Sequence, residues 1–340
     1  MNRKKGLRVA VVGVGQMGRH HARVYSQLRG VDLVGVVDIN PKWLQESSTL
    51  YQCQGFDAIG SLVGQVDAVS IATPPGTHAA IGQFLMNHGI HCLIEKPLAV
   101  SEKECQLLID TAAANHITLL VGHIERFNPA VQELAALVSQ GLRIFAIDAR
   151  RMSHSSARIT DVDVIADLMI HDLDIVMALV NRPVARVVAS SVHIPESQGV
   201  DHVAALLNFD NGAMSSLTAS RITQGRIREM HCNTDLGWIS VHFISQELSL
   251  VRQGSFRAGE PHDPPNLKYN VDLSVEKIAV KRAEPLVLEI QHFVDAVLNR
   301  TSPLVTGSQA LEVFKVSQKI RQSAIARDMS PCGQTVMDGN

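Results

Sequence analysis

The sequence predicts an α/β protein in which a doubly wound parallel sheet is followed by a second α/β domain with a large, open, mostly antiparallel sheet. Two observations predict this. The first third alternates short β-branched apolar runs with amphipathic stretches, whereas the region after Gly122 has apolar runs joined by tight polar turns such as Asp210-Asn211-Gly212. The 340 residues suit two domains at about 100 to 200 residues each.

The first domain is predicted to cover residues 1–122. Its apolar runs are continuous rather than alternating, as expected of strands covered on both faces. The predicted strands are Leu7–Val12, Val31–Val37, Ala68–Ala72, His91–Ile94 and Ile117–Val121. The predicted helices are Gly18–Leu28, Pro41–Tyr51, Thr77–Asn87 and Ser101–Asn115. Ser101 and Glu104 form a capping-box pattern at the start of the last of these helices.

The second domain is predicted to cover residues 123–330, and residues 331–340 are predicted to be a disordered tail. The predicted strands are Val187–Val192, Val203–Phe209, Ala213–Ala219, Ile227–Asn233 and Trp238–Phe243. Two closing helices, at about Leu286–Arg300 and Ser308–Arg327, follow a Pro-rich loop. An open sheet favours a homodimer or homotetramer, because an uncovered sheet invites a partner.

Charge and cysteine content exclude several classes of function. The formal net charge is -2 with no run of five basic residues, so we expect no nucleic-acid partner. The five cysteines include no Cys-x-x-Cys pair, which predicts no zinc site and favours a reducing, cytoplasmic compartment. The basic N-terminus is followed by an apolar stretch that Gly13 and Gly15 interrupt, so we expect neither a signal peptide nor a membrane anchor.

A glycine-rich turn, Gly13-Val14-Gly15-Gln16-Met17-Gly18, lies between the first predicted strand and helix. This pattern is typical of a Rossmann domain, in which the helix N-terminus and the glycine backbone bind a pyrophosphate. Asp38 ends the second strand and can accept the ribose hydroxyls of NAD while repelling a 2′-phosphate. The turn therefore predicts NAD, with NADP left as an alternative by the nearby Lys42.

A second candidate site is Glu95-Lys96-Pro97, which ends a predicted strand. Ligands of such sheets bind at the carboxyl ends of the strands. An ammonium there can stabilise negative charge that develops on a reacting oxygen. The alternative is a surface ion pair between Lys96 and Glu95.

The segment 163–180 has helical periodicity and carries the third candidate site. Four polar residues share one stripe of the predicted helix: Asp163, Asp167, His171 and Asp174. A carboxylate at Asp167 can orient His171 as a general base. A divalent metal on Asp167, His171 and Asp174 is the alternative, although we predict no metal. Asp172 projects toward the apolar face, which requires either a buried partner or a distorted helix.

Together these segments resemble the Gfo/Idh/MocA oxidoreductases over essentially the whole chain. The matching motifs are Gly13-x-Gly15-x-x-Gly18 with Asp38, Ala72-Thr73-Pro74-Pro75, Glu95-Lys96-Pro97 and Asp167-x-x-x-His171. The resemblance implies a dehydrogenase in which residues 123–330 serve substrate binding and oligomerisation, with a site between the two domains and a catalytic set of Lys96, Asp167 and His171. It also implies cofactor contacts along the sequence: Gly13, Gly15, Gln16, Met17, Gly18, Asp38, Thr73, Pro74, His78, Glu95 and Lys96. The chain departs from the family's usual glycine-rich approach to the catalytic aspartate, because Val164-Ile165-Ala166 stands there.

Within the family, the segments 122–129 and 167–174 resemble bacterial members that oxidise C3 of UDP-N-acetylglucosamine on the way to the amino sugar of lipid A. A sugar-nucleotide substrate needs cations for its diphosphate, which Arg residues bind well. The predicted substrate-binding residues are Lys96, Arg126, Asn128, Arg151, Arg158 and His171, with Arg150, Arg221, Arg226 and Arg228 as alternatives. The polar segment 152–157 is predicted to be a mobile loop.

Two other functions stay open on the sequence. One is a dehydrogenase of a free polyol or sugar, such as inositol. The other is a regulatory protein that binds the nicotinamide cofactor without turnover, since a fold does not by itself determine function.

Overall fold

The computed structural model describes residues 6–154, 163–194, 199–258 and 269–328. The chain forms two compact units, one of Met1–Phe127 with Ala283–Lys315 and one of Asn128–Arg282 with Val316–Asn340. The sequence analysis placed residues 283–315 in the second domain, whereas here they group with the first unit because helix Pro285–Asn299 buries its apolar stripe in that unit's core. The predicted tail 331–340 lies outside the described residues.

The first unit contains a six-stranded parallel sheet in the order β3-β2-β1-β4-β5-β6. The strands are β1 Leu7–Val12, β2 Val31–Val37, β3 Gln54–Phe56, β4 Ala68–Ile71, β5 His91–Glu95 and β6 Leu119–Gly122. Because the strand order reverses between β1 and β4, the carboxyl ends of these two strands border the crevice in which doubly wound sheets bind ligands. The parallel sheet that the apolar runs predicted is confirmed.

Helices cover this sheet and complete its core. They are α1 Gln16–Gln27, α2 Pro41–Tyr51, α3 His78–Asn87 and α4 Glu102–Ala114. Val9, Ala10 and Val11 of β1 are fully buried, as expected for a strand covered on both faces. The Ser101 hydroxyl accepts the Glu104 N–H at 3.3 Å, so this predicted cap is present at the start of α4.

The second unit is built on an eight-stranded sheet in the order β14-β13-β12-β11-β7-β10-β9-β8. The strands are β7 Ile144–His154, β8 Val184–Val192, β9 His202–Phe209, β10 Met214–Ser220, β11 Ile222–Thr234, β12 Gly237–His242, β13 Glu247–Ala258 and β14 Tyr269–Ile278. β7 and β10 are parallel and the other pairs are antiparallel, so the predicted mostly antiparallel sheet is confirmed. The predicted loop 152–157 is wrong for residues 152–154, which end β7, and residues 155–157 lie outside the described part of the chain.

The remaining helices are α5 Pro129–Ser139, α6 Ile170–Val180, α7 Pro285–Asn299 and α8 Gly307–Asp328. α5 and α6 contact strands of the eight-stranded sheet, so their apolar side chains form the core of the second unit. Of the helices that the structure describes, none combines the length and the apolar character needed to cross a bilayer.

Candidate functional site

The glycine-rich turn between β1 and α1 is fixed by close backbone approach. Gly13 has φ +85°, and a Cβ atom there would lie 2.8 Å from the Ala72 carbonyl oxygen. A Cβ atom on Gly18 would lie 1.7 Å from the Gly13 carbonyl oxygen. Both contacts are with backbone atoms, which cannot move aside as a flexible side chain can, so neither position accepts a side chain. The turn can therefore bring α1 close against β1 in the way the sequence predicted.

The start of α1 fits a diphosphate. Gly15 is the N-cap residue and supplies no side-chain cap, and the first turn contains no acidic residue. A Cβ atom on Gly15 would meet only the Trp43 ring, at 4.0 Å, so the space beside its backbone is open. Gln16 is exposed and Met17 is half-buried. The first N–H groups of α1 and the positive end of its helix dipole are therefore suited to binding an anion.

Asp38 lies beside this turn at the end of β2. Its two carboxylate oxygens accept the Val14 N–H at 2.7 Å and the Asn40 N–H at 2.8 Å. Each oxygen keeps lone pairs for a further donor, such as a ribose hydroxyl. Asn40 caps α2 through its own side chain, and Lys42 is exposed in the first turn of that helix. The geometry of Asp38 thus fits the dinucleotide that the sequence predicted.

Glu95 and Lys96 lie at the carboxyl end of β5. Glu95 is only 8% exposed, and its Oε1 accepts His21 Nε2 at 2.9 Å while its Oε2 accepts the Lys96 backbone N–H at 3.3 Å. Burial acts to raise the pKa of Glu95, but the hydrogen bond and charge of His21 and the charge of Lys96 hold that pKa below its ordinary value. The alternative of a surface ion pair is wrong because Glu95 is buried. Lys96 itself is half-buried.

His78 has a different place from the predicted cofactor contact. Its side chain is fully buried at the start of α3. Nε2 lies 2.8 Å from the Thr73 carbonyl oxygen, and Nδ1 lies 3.0 Å from the Pro97 carbonyl oxygen. In the turn after β4, by contrast, Thr73 is half-buried and Pro74 is exposed. A ring with no exposed surface contacts the protein rather than a ligand, so His78 connects the turns after β4 and β5.

In the second unit, the segment that carries Asp167 and His171 is not one regular α-helix. Ile165–Met169 forms a turn of π-helix, and α6 begins at Ile170. Asp167 and His171 are both half-buried, whereas Asp174 is 1% exposed. Asp174 is therefore buried more deeply than the other residues of the predicted stripe, and the π turn between Asp163 and His171 departs from the 3.6 residues per turn that the stripe assumed.

Asp172 has both features that the sequence left as alternatives, a buried partner and a distorted helix before it. Arg151 donates through Nε to Asp172 Oδ2 at 3.0 Å and through Nη2 to Oδ1 at 2.7 Å. The Arg151 guanidinium also lies over the Phe243 ring, 4.9 Å from its centroid. With Arg151 1% exposed and committed to this pair, its predicted contact with a substrate diphosphate is replaced by a structural role.

The other predicted substrate-binding residues differ in their surroundings. Asn128 is 2% exposed, caps α5 by accepting the Ala130 N–H at 3.2 Å and donates to the Phe243 carbonyl oxygen at 3.0 Å, so its side chain also serves the fold. Arg126 donates to the Leu304 carbonyl oxygen at 3.5 Å. Arg158 lies outside the described residues.

One group of three possible metal ligands occurs among the described residues: His21, Glu95 and Glu289, with atoms within 4.8 Å of one another. All three are buried, and both ring nitrogens of His21 already contact protein partners, Ser70 and Glu95. Within the described ranges, Asp167, His171 and Asp174 do not form such a group. We therefore interpret the His21 cluster as a hydrogen-bond network, a role that sequence reasoning missed.

Comparison with known proteins identifies both parts of the chain. Residues 7–123 match the oxidoreductase family with an NAD-binding Rossmann fold, and residues 146–240 match the Gfo/Idh/MocA C-terminal domain. The chain belongs to the Gfo/Idh/MocA oxidoreductase family. It is an NAD-binding dehydrogenase.

Two curated relatives indicate the range of substrates. The UDP-N-acetylglucosamine 3-dehydrogenase of Acidithiobacillus ferrooxidans is 32% identical over 93% of this chain and 96% of its own length. Inositol 2-dehydrogenase of Acidothermus cellulolyticus is 30% identical over 54% of this chain and 56% of its own length. Both relatives carry the name of a dehydrogenase acting on a sugar or polyol hydroxyl.

Solved structures agree on the fold. The structure of the Acidithiobacillus ferrooxidans enzyme superposes with a TM-score of 0.85 at 30% identity, covering 94% of this chain and 98% of that one. The scyllo-inositol dehydrogenase of Lactobacillus casei, solved with NAD(H) and scyllo-inositol, gives a TM-score of 0.78 at 18% identity over 95% of this chain and 98% of that one. At that identity, the second likeness concerns the fold alone.

Proposed function

We propose that this enzyme oxidises the C3 hydroxyl of UDP-N-acetylglucosamine to the 3-keto sugar nucleotide with NAD. The observation that carries the proposal is the 32% identity to a dehydrogenase of that substrate over 93% of the chain. The shared identity extends through both units, whereas the inositol 2-dehydrogenase matches only 54% of the chain. The ketone product has the functional group that an aminotransferase needs, which agrees with the amino-sugar route to lipid A.

In this proposal three side chains act on one sugar hydroxyl. His171 takes the hydroxyl proton, Asp167 orients the imidazole and stabilises its protonated form, and Lys96 donates a hydrogen bond to the reacting oxygen. Bound NAD supplies the hydride acceptor. The half-buried positions of all three residues support these roles, because each side chain keeps part of its surface for a ligand.

Cations for the diphosphate form the second part of the proposal. Arg150 and Arg126 remain candidates among the described residues, and the Arg150 side chain is 52% exposed beside Asp148. Arg158 stays a prediction. Guanidinium groups suit this task because they can bind phosphate oxygens in pairs.

We also propose a reducing compartment and a homo-oligomer. The four described cysteines, Cys53, Cys92, Cys105 and Cys232, are free, which supports a cytoplasmic location. Burial raises the pKa of Cys105 to about 11, so this thiol stays protonated and unreactive at neutral pH.

The deciding experiment supplies purified enzyme and NAD with UDP-N-acetylglucosamine, N-acetylglucosamine or myo-inositol and records the absorbance of NADH. We expect turnover with the sugar nucleotide and at least tenfold lower kcat/KM with the other two. His171→Ala should lower kcat by about 10²- to 10⁴-fold, because it removes the general base. Faster turnover of myo-inositol than of the sugar nucleotide would refute the substrate, and full activity of the variant would refute the base.

A further inference from the structure

Lys96 lies between two residues whose positions are fixed by buried histidines. Its predecessor Glu95 accepts a hydrogen bond from His21, and the carbonyl oxygen of its successor Pro97 lies 3.0 Å from His78 Nδ1. We propose that His21 and His78 are positioning residues that together aim the Lys96 amine at the reacting oxygen. The proposal rests on the function assigned to Lys96 above.

The His21 contact belongs to a continuous buried chain of hydrogen bonds. His21 Nδ1 lies 3.0 Å from Ser70 Oγ, which lies 2.9 Å from the Tyr25 hydroxyl oxygen. Burial raises the pKa of Tyr25, so its phenol stays protonated. Ser70 Oγ lies between the Tyr25 hydroxyl and the His21 ring, and the ring lies between Ser70 and the Glu95 carboxylate. These contacts connect α1 and β4 to the end of β5.

Close packing holds the Glu95 side chain from its other side. A Cβ atom on Gly122 of β6 would lie 3.1 Å from the Glu95 Cα and Cδ atoms and 3.2 Å from Oε1. The carboxylate therefore lies against bare backbone, where any larger residue would displace it. Glu289 of α7 is a second buried carboxylate, with ligand atoms within 4.8 Å of those of His21 and Glu95.

The His78 contact fixes the turn after Lys96 to the turn after β4. Both partners of the ring are backbone carbonyl oxygens, which only accept, so each ring nitrogen that carries a proton donates to its own turn while the other nitrogen packs against the second turn. The side chain has no exposed surface, and such a group loses both contacts when replaced by an apolar residue. Lys96 is the single residue between Glu95 and Pro97, the two residues that His21 and His78 contact.

The consequence for catalysis follows from geometry. An amine that stabilises charge must point at the reacting oxygen, and a displacement of about 1 Å can reduce the rate by about 10²-fold. Loss of one anchor should therefore lower kcat while NAD, which the glycine-rich turn and Asp38 hold, continues to bind.

The test compares His78→Leu with His88→Leu, a matched control at the C-terminal cap of the same helix. His88 is exposed, and its ring contacts only the Phe84 carbonyl oxygen and ring among its described partners. We expect His78→Leu to lower kcat by about 10- to 100-fold with the KM for NAD changed less than about threefold. His78→Gln, which keeps one side-chain donor, should recover part of the loss, and His88→Leu should leave kcat unchanged.

A second measurement is independent of the substrate. The full-length protein is treated with trinitrobenzenesulfonate, and the modification rates of Lys96 and of the exposed Lys103 are followed by mass spectrometry. In His78→Leu the Lys96 rate should change at least threefold while the Lys103 rate stays constant. Because no sugar is added, this result stands even where UDP-N-acetylglucosamine is not turned over, so the two proposals fail separately.

Other outcomes overturn the inference. A folded His78→Leu variant with normal kcat and a normal Lys96 modification rate would show that His78 does not position Lys96. A parallel loss of NAD affinity and kcat would indicate general damage instead. Where His78→Leu does not fold, His21→Gln and Gly122→Ala disturb Glu95 instead, and unchanged kcat and Lys96 modification in both would refute the proposal equally.

Discussion

The two units hold the neighbours of their proposed catalytic residues in different ways. Around Lys96, a histidine contacts the residue on each side, through Glu95 and through the Pro97 carbonyl oxygen. Beside His171, the next residue, Asp172, is held by a bidentate ion pair with Arg151, and both side chains are 3% exposed or less. A hydrogen-bond network and a buried ion pair can thus each hold a residue beside a proposed catalytic side chain. The two should differ in the unfolding free energy that is lost when one member is replaced.

The largest expected effect comes from breaking the ion pair. Asp172→Asn leaves the Arg151 guanidinium buried without its opposite charge, which should cost about 3–5 kcal/mol of unfolding free energy. Urea unfolding measures this loss of free energy. The unfolding is monitored with one probe in each unit, because the two units need not unfold together. The double variant R151M/D172L should recover most of the loss, since an apolar pair of similar volume replaces both charges.

The control for this prediction is on the same strand. Arg150 pairs with Asp148 at 3.1 Å, but the two side chains are 52% and 38% exposed. Arg150→Met should therefore change the unfolding free energy by about 1 kcal/mol at most. Equal effects of Asp172→Asn and Arg150→Met on the unfolding free energy would mean that burial does not make the Arg151–Asp172 pair costlier to break.

A smaller effect is expected in the hydrogen-bond network of the first unit. Ser70→Ala removes the hydroxyl that links Tyr25 to His21 and leaves the buried phenol without that partner, at a cost of about 1–3 kcal/mol. Tyr25→Phe should cost about 1 kcal/mol, because Ser70 keeps its contact with His21. Thermal unfolding of both variants gives the order, and a larger loss in Tyr25→Phe would contradict this hydrogen-bond chain.

The smallest effect concerns an exposed ion pair of the first unit. Arg8 Nη2 lies 2.6 Å from Asp67 Oδ1, and its hydrogen bonds hold the pKa of Asp67 below the ordinary value. Asp67→Asn should lower stability at pH 7 by less than about 1 kcal/mol, since both side chains are about 40% exposed.

The pH dependence of this pair has a definite sign. Because the folded pKa of Asp67 is the lower one, the pair stabilises above the unfolded pKa of about 3.9, and its contribution disappears as the pH falls through the folded value. The difference between wild type and Asp67→Asn should therefore close in acid. The exposed Asp57, as Asp57→Asn, is the control, and a gap that widens in acid would reverse the assignment.

Local signals predicted most of the first unit. Strands β1 and β2 begin and end at the predicted residues, because continuous β-branched runs bounded by Gly or Asp are strong strand signals. The glycine-rich turn also has the predicted close packing, since a φ of +85° and a missing Cβ are properties of the residue itself. Where sequence neighbours determine the structure, the sequence was sufficient.

Contacts between distant residues were the part that sequence reasoning missed. β7 was not predicted because Asp148, Arg150 and Arg151 give it a polar appearance, although Arg151 is buried by a partner 21 residues away. Asp172 on an apolar face was the available signal, because a buried acid requires a partner. Similarly, His21 and Tyr25 share the inward stripe of α1 with Gly18, which indicated burial but could not name Ser70 or Glu95 as partners.

The central position of β7 has a consequence for synthesis of the protein. β7 ends at His154, but its neighbours β10 and β11 end at Ser220 and Thr234, about 80 residues later for β11. At a ribosomal rate of about 5–20 residues per second, both edges of this strand stay unpaired for several seconds. The charges of Arg150 and Arg151 interrupt the strand in that interval, which protects the nascent chain against aggregation until its neighbours emerge.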